Sequence, residues 1–370
     1  MIRTELCSRL GIQHPIIQAG MGPFGTNKLC IAAANAGVLG LISSSGVNSR
    51  DSMPDIYEYF IGTGGASMED DKKTVLQKIF RQTLEGTREK KGIFGVNVMV
   101  STEERRNAEV IIDSAIRARK QDPEMEERFR VLFTSAGDPM PWGEKIKGAG
   151  FHWLHVVPSV KGALRCQKAG VDVIVASGHE GGFHTAWEPV HSMVLLPAVV
   201  EALAGSGIPV VGAGGFCDGK TLAAALALGA GGVQMGTRFL ATRDSDFAAL
   251  WKDSIVKAED RGTLVARGFV GPARWLKTPP SQRHAEKTLK MSPGVYLGTP
   301  DDMSTIPPEL IVSELEGINA VFDGDESKAL MAAGECAQRI DDLVTVEALV
   351  EKTVREASEI LELLPKQVLI

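Results

Sequence analysis

Ala176-Ser-Gly-His-Glu-Gly-Gly-Phe-His-Thr185 directly follows the apolar run Val171-Asp-Val-Ile-Val175. That run has the length and β-branched character of a buried strand. The stretch behind it carries two imidazoles, one carboxylate and three glycines. Glycine lets backbone approach a ligand closely, and imidazole titrates near neutral pH. A strand that ends in such a loop is the unit from which a barrel enzyme builds its active face.

The same unit recurs along the chain. Short apolar runs predict strands at 15–20, 38–43, 93–98, 130–135, 152–157, 172–177, 208–213 and 232–236. Helical patterns fall between them at 26–36, 72–84, 102–120, 142–149, 160–169, 190–203 and 218–228. Eight β–α repeats in about 240 residues match the rhythm of a (β/α)8 TIM barrel. A doubly wound sheet competes, but it usually has fewer strands and a phosphate loop after its first.

Two segments break the rhythm. Residues 48–71, with Ile61-Gly-Thr-Gly-Gly65 and Glu69-Asp-Asp71, read as an inserted loop over the barrel top. Residues 268–308 hold seven prolines and read as irregular, in the manner of a lid. A closing amphipathic helix is expected over 344–364, with Val346, Leu349, Val350, Val354 and Ala357 at helical spacing. The expected organisation is a cofactor-binding barrel over 1–255 and an extension over 256–370 that packs on it as a lid or small substrate domain.

Bulk properties narrow the function. The 370 residues are 44% hydrophobic and 23% charged, with a net charge of -6 and no basic block, which argues against nucleic acid as a partner. Five widely spaced cysteines, never in C-x-x-C, fit a reducing cytosol and speak against a disulfide framework or a zinc site. No signal-peptide core and no run of 18 apolar residues occurs, so a cytoplasmic protein with no membrane partner is expected.

In a barrel, ligand groups belong just after the strand ends. The first strand ends Gln18-Ala-Gly-Met-Gly22, which suits either a planar ligand or a tight turn. The third carries Asn97, an amide that can bond a heterocycle edge or serve backbone. The seventh ends Gly212-Ala-Gly-Gly-Phe216 and the eighth Gln234-Met-Gly-Thr-Arg238, two loops suited to an anion. Arg238 either offsets phosphate or pairs with an acid. On the sixth, His184 and His179 compete for the role of base. Glu180 and His191 are the nearest further ligands for a metal, but H-E-x-x-x-H is not a zincin spacing, and no metal is expected. His152 and His155 bracket the fifth strand.

Together these residues resemble the nitronate monooxygenase (2-nitropropane dioxygenase) family, whose relatives include FMN-dependent enoyl reductases and NADH:quinone reductases. The matching segments are Pro15-Ile-Ile-Gln-Ala-Gly-Met-Gly22, Gly37-Val-Leu-Gly40, Phe94-Gly-Val-Asn97, Gly178-x-Glu180-x-Gly182-x-His184 and Gly214-Gly215. The long run from Asp218 to Phe239 is the most specific of them, and Ala333-Gly-Glu resembles the closing segment more weakly. The resemblance implies a flavoprotein monooxygenase fold binding FMN. Ala19, Gly20, Met21 and Asn97 would line the flavin, with His155, Ala176, Gly178, Gly182 and Met235 among its contacts. Gly214, Gly215, Gly236 and Thr237 would hold the phosphate, and His184 would be the catalytic base. Phe183 stands where the family usually has the second Gly of G-G-H, Ser177 replaces a common Gln, and His155 stands where many members have Lys.

Three functions follow. In the first, a nitronate or nitroalkane is oxidised with O2, His184 taking the acidic proton. The alternative is an NAD(P)H-dependent FMN reductase of enoyl thioesters or quinones. The third is a binding protein that keeps the barrel without catalysis. A homodimer is compatible with each.

Overall fold

In the computed structural model, residues 2–22, 27–301 and 306–369 are described. Their strands are β1 (Ile16–Gln18), β2 (Gly40–Ser43), β3 (Phe94–Met99), β4 (Phe129–Ser135), β5 (His152–Val157), β6 (Val173–Ser177), β7 (Phe183–His184), β8 (Val210–Ala213), β9 (Gly232–Met235), β10 (Thr263–Gly268) and β11 (Gly271–Leu276). Eight of them form one parallel sheet in the order β1-β9-β8-β6-β5-β4-β3-β2, and a bridge from Ile17 to Leu39 carries β1 back towards β2. This is the expected (β/α)8 barrel, and every expected strand lies on an observed one. The expected helix at 26–36 is seen as Asn27–Asn35, residue 26 lying outside the described residues.

Parallel strands buried on both faces read as continuous apolar runs, and their alternation sorts side chains into two layers. Leu41, Val131, Phe133, Leu154, Val173, Val175 and Val211 fill the interior. Ile42, Val96, Leu132, Trp153, Ile174 and Val233 point outwards under the helices. The helix Glu5–Leu10 plugs the end where the strands begin. Its Leu6 and Leu10 join the interior, and Arg9 Nη1 donates to the carbonyl of Asp172 just ahead of β6. The other end is left open for a ligand.

Two expectations give way to more ordered structure. Within 48–71 runs the helix Pro54–Thr63, burying Ile56, Tyr57, Phe60 and Ile61. That pattern is helical, but the flanking glycines and acids mask it. Within 268–308 lie β11 and the helix Pro279–Met291. Pro279 and Pro280 occupy the first turn, where a missing N–H costs nothing, and Thr278 and Ser281 form a reciprocal cap. Residues 302–305 of this stretch lie outside the described residues.

The antiparallel hairpin β10–β11 extends to β7, so a three-stranded sheet joins the extension to the loop after β6. A second core, with Trp251, Ala266, Ala273, Trp275, Ile318 and Val321, forms beneath it. The helix Val346–Val368 returns to the barrel, inserting Leu349, Val350 and Val354 into the outer layer. Gly219 fits against it, since a Cβ there would stand 2.5 Å from Glu356 Cβ. All five cysteines are free and buried. Among the described residues, no helix is long and apolar enough to cross a membrane.

Phe129 is fully buried, with its ring centroid 4.8 Å from Phe80, 5.0 Å from Phe94 and 5.3 Å from Phe151. Phe129→Ala should cost about 3–5 kcal/mol in denaturant unfolding, because three aromatic walls cannot all collapse into the void.

Candidate active site

The open end of the barrel leads into a cavity of about 1310 Å³. It is lined by Ala19, Gly20 and Met21 after β1, Asn97 on β3, His155 on β5, and Gly178, Gly182 and His184 after β6. Gly214 and Gly215 after β8 and Gly236 and Thr237 after β9 complete the set expected from sequence. Two expected contacts fall elsewhere. Ala176 and Met235 are 1% exposed and pack in the outer layer. Strand alternation turns them towards the helices and gives the cavity their neighbours Ser177 and Gln234 instead.

Glycine is required here by close approach. A Cβ on Gly20 would stand 2.8 Å from Asn97 Cβ, and Asn97 Nδ2 donates to the Gly20 carbonyl at 3.3 Å. Ser135 Oγ donates to Asn97 Oδ1 at 3.1 Å, so this amide clamps the first loop to β4. Gly214 and Gly215 both lie at positive φ (85° and 86°), and a Cβ on Gly214 would meet Gly178 O at 2.6 Å. The result is a tight backbone cradle. Arg238 does not serve it: that side chain pairs with Asp342 at 2.9 Å and bonds the carbonyls of Ala241 and Asp342.

The loop after β6 is fixed by Glu180. Both carboxylate oxygens accept from the Ser192 N–H at 3.0 Å, and Ser192 Oγ donates to Gly214 O at 2.6 Å. The carbonyl of Glu180 accepts from Glu335 N–H, while Gly334 N–H donates to Thr237 Oγ1. The segment Ala333-Gly-Glu335 thus seats between the loops after β6 and β9, a part in the site that its sequence did not reveal. His191 Nδ1 is 3.7 Å from Glu180, but among the described residues no cluster of three or more His, Cys, Asp or Glu is placed to hold a metal.

His184 is set by β7, paired with Ala273 of β11. Phe183 beside it has φ 61°, a left-handed conformation that favours glycine. Its ring lies 4.1 Å from that of His184 and edge-on to Trp275 at 5.5 Å. Burial, then the charge of Arg267, lowers the His184 pKa to about 4. Its Nδ1 is buried without a hydrogen-bond partner. The rival His179 is also lowered to about 4, by burial and then Arg274, and its ring leans on His191 at 5.6 Å. Burial likewise takes His155 to about 4, with its Nδ1 2.7 Å from Thr134 Oγ1. A neutral ring at that position offers a hydrogen bond where Lys would offer charge.

A barrel with a glycine cradle on its last two loops and a neutral imidazole at the cavity wall has the build of a barrel enzyme that takes a phosphorylated ligand. Over residues 3–356 the chain matches the nitronate monooxygenase family model, and it belongs to that family. It is 31% identical, over 96% of both chains, to the (3aS,4S,5R,7aS)-5-hydroxy-7a-methyl-1-oxo-octahydro-1H-indene-4-carboxyl-CoA dehydrogenase of Mycobacterium tuberculosis. A probable nitronate monooxygenase of Staphylococcus aureus is 29% identical over 73% of this chain and 76% of that one. The solved structure of FabK from Thermotoga maritima superposes with a TM-score of 0.76 at 29% identity, covering 100% of each chain.

Sequence reasoning missed Trp187, Arg267 and Glu314 near the cavity. Glu314 left a signal, a carboxyl on the apolar stripe formed by Leu310, Ile318 and Val321.

Two predictions follow from the geometry. Phe183→Gly should lower stability by only about 1–2 kcal/mol, since relief of left-handed strain (about 1–2 kcal/mol) offsets part of the lost ring contacts and apolar burial (together about 2–4 kcal/mol). Phe183→Val should lose the contacts and keep the strain; thermal unfolding of both variants compares them. Second, His155, His179 and His184 are lowered from 6.5 to about 4 in the folded protein. The unfolded chain therefore binds more protons in that window, and stability should fall as pH drops from about 6.5 to 4. Denaturant midpoints across this range would show it, with a shallower slope in His184→Gln.

Proposed function

We propose that residues 1–255 bind flavin mononucleotide and that residues 256–370 shape the substrate end of the same cavity. Ala19, Gly20 and Met21 lie against the ring system, with Asn97 holding their loop. Gly214, Gly215, Gly236 and Thr237 surround the phosphate. The lining fits such a group, because Gly214 and Gly215, both at positive φ, and Gly236 face the cavity without side chains. When bound, the flavin supplies the redox chemistry.

The substrate we infer is an acyl-coenzyme A thioester, with NAD(P)H or its oxidised form as redox partner. Similarity along the whole chain carries this reading, and cavity size accords with it. A single small-molecule site spans roughly 300–1,000 Å³, whereas this cavity reaches about 1310 Å³. The excess leaves space beside a cofactor. Similarity to a CoA dehydrogenase over 96% of both chains, extension included, supports it. His184, neutral at pH 7, takes a proton from the carbon next to the thioester carbonyl or returns it, and the buried wall around it excludes water. Nitronate oxidation with O2 is the second reading, favoured by the similarity to a probable nitronate monooxygenase.

His184→Ala should retain flavin and lose proton transfer by about 10²–10⁴-fold. A loss below tenfold would move the base to His179. The two readings separate in anaerobic absorbance spectra. Bleaching by NADH or NADPH, with recovery of the flavin band on adding an enoyl thioester, supports the first. Bleaching by propionate 3-nitronate alone supports the second. Purified protein that is colourless and takes up no flavin would sink both.

A further inference from the structure

Behind His184 lies a buried group of ionisable side chains that proton abstraction by His184 alone does not use. Arg267, the penultimate residue of β10, is 1% exposed. Its Nε is 3.3 Å from Asp301, its Nη1 donates to Gly268 O at 2.6 Å, and its guanidinium lies 5.2 Å from the Trp187 ring centre. The carbonyl of Arg267 is 2.6 Å from His284 Nε2, and His284 Nδ1 is 3.1 Å from Ser313 Oγ. Next to Ser313, on the helix Pro308–Asp323, stands Glu314.

Glu314 is 3% exposed, yet it lines the cavity. The N–H of Phe269 donates to its carboxyl. The residue before Phe269 is Gly268, where a Cβ would stand 3.4 Å from His184 Cε1. His184 and Glu314 both line the cavity, with the Gly268–Phe269 segment beside each of them. One approaches from the barrel loop and the other from the extension.

We propose that Glu314 is a second catalytic residue, a neutral carboxylic acid that donates a hydrogen bond to the substrate's carbonyl oxygen while His184 moves the neighbouring proton. The chemistry needs such a donor. When the C–H bond breaks, the proton goes to the His184 imidazole and the electron pair delocalises onto the thioester oxygen. A donor fixed beside that oxygen stabilises the developing charge in a dry site. The carboxyl keeps its own proton throughout, so the step balances without further reactants. The surroundings keep Glu314 protonated. Burial raises its pKa to about 8, and the opposing pull of Arg267 is offset by Asp301. Among the described residues, His184 and His284 beside Arg267 are both lowered by burial, the charge of Lys287 lowering His284 further, and so both are neutral at pH 7. A carboxylic acid held neutral in an apolar site to donate a hydrogen bond has precedent in other enzymes.

The proposal rests on the thioester reading, and its test separates the two. Difference infrared spectra of the flavin-loaded protein report the carboxylic acid band directly, without substrate. Wild type should show a protonated carboxyl at pH 7 that disappears above about pH 8, and Glu314→Gln should lack it. An ionised Glu314 at pH 7 overturns the proposal whatever the substrate proves to be. With a turned-over enoyl thioester, Glu314→Leu should lose about 10²–10³-fold in kcat. Glu314→Gln, which keeps a donor, should recover at least about tenfold of that loss and remove the alkaline fall in the pH profile. Equal losses in both variants, with the alkaline limb unchanged, would also overturn it. Flavin content of each variant shows whether it has folded.

Discussion

Two backbone pairings, His184 with Ala273 and Phe183 with Arg274, hold the candidate base in place. They turn a flexible glycine loop into a strand, and they make the chain beyond the barrel part of the wall around the cavity. The loop after β6 is held as well at Glu180, through Ser192 and the Glu335 amide, and at His179, whose carbonyl accepts from Arg274 Nη2 at 2.9 Å. The second core packs beneath this three-stranded sheet, and the helix bearing Glu314 lines the cavity beside it. Where a loop is pinned from both sides, its side chains keep one geometry, and an imidazole can stay neutral and half-buried at little entropic cost.

The barrel was legible because its physics is repetitive. Most strands are runs of β-branched and apolar residues, such as Val173-Ile-Val175, and several end at or just before a glycine or serine, as at Ser43, Ser135, Ser177, Gly214 and Gly236. The loops after β8 and β9 were legible as a cradle because Gly214-Gly215 and Gly236 each follow directly on an apolar strand. What escaped notice depends on sequence-distant pairing. Nothing local in Phe183-His184 signals a strand, since two residues carry no alternation. Nor does Ala333-Gly-Glu335 declare that its amides will bond Glu180 and Thr237, more than 90 positions away. The hairpin was hidden because Pro272, Pro279 and Pro280 read as breakers, although each sits where its missing N–H is harmless.

Ala176 and Met235 show the limit of carrying roles across a family by position alone. Both flank residues that do face the cavity, and only the period of two decides which neighbour points inwards. Arg238 teaches the same lesson for charge: a cation beside an anion cradle is still free to choose an acid on the other side, and here Asp342 takes it.

One contact binds two distant parts of the chain to a shared history. A side chain at Gly182 would stand 2.6 Å from Gly334 N, and one at Gly334 would reach the carbonyl of Glu180 at 2.8 Å. Neither position can gain a methyl group on its own. Nor can a change at one relieve the other, because each added carbon would meet backbone, so this wall can be reshaped only at Phe183 and at the side chains of the extension, without moving the cradle.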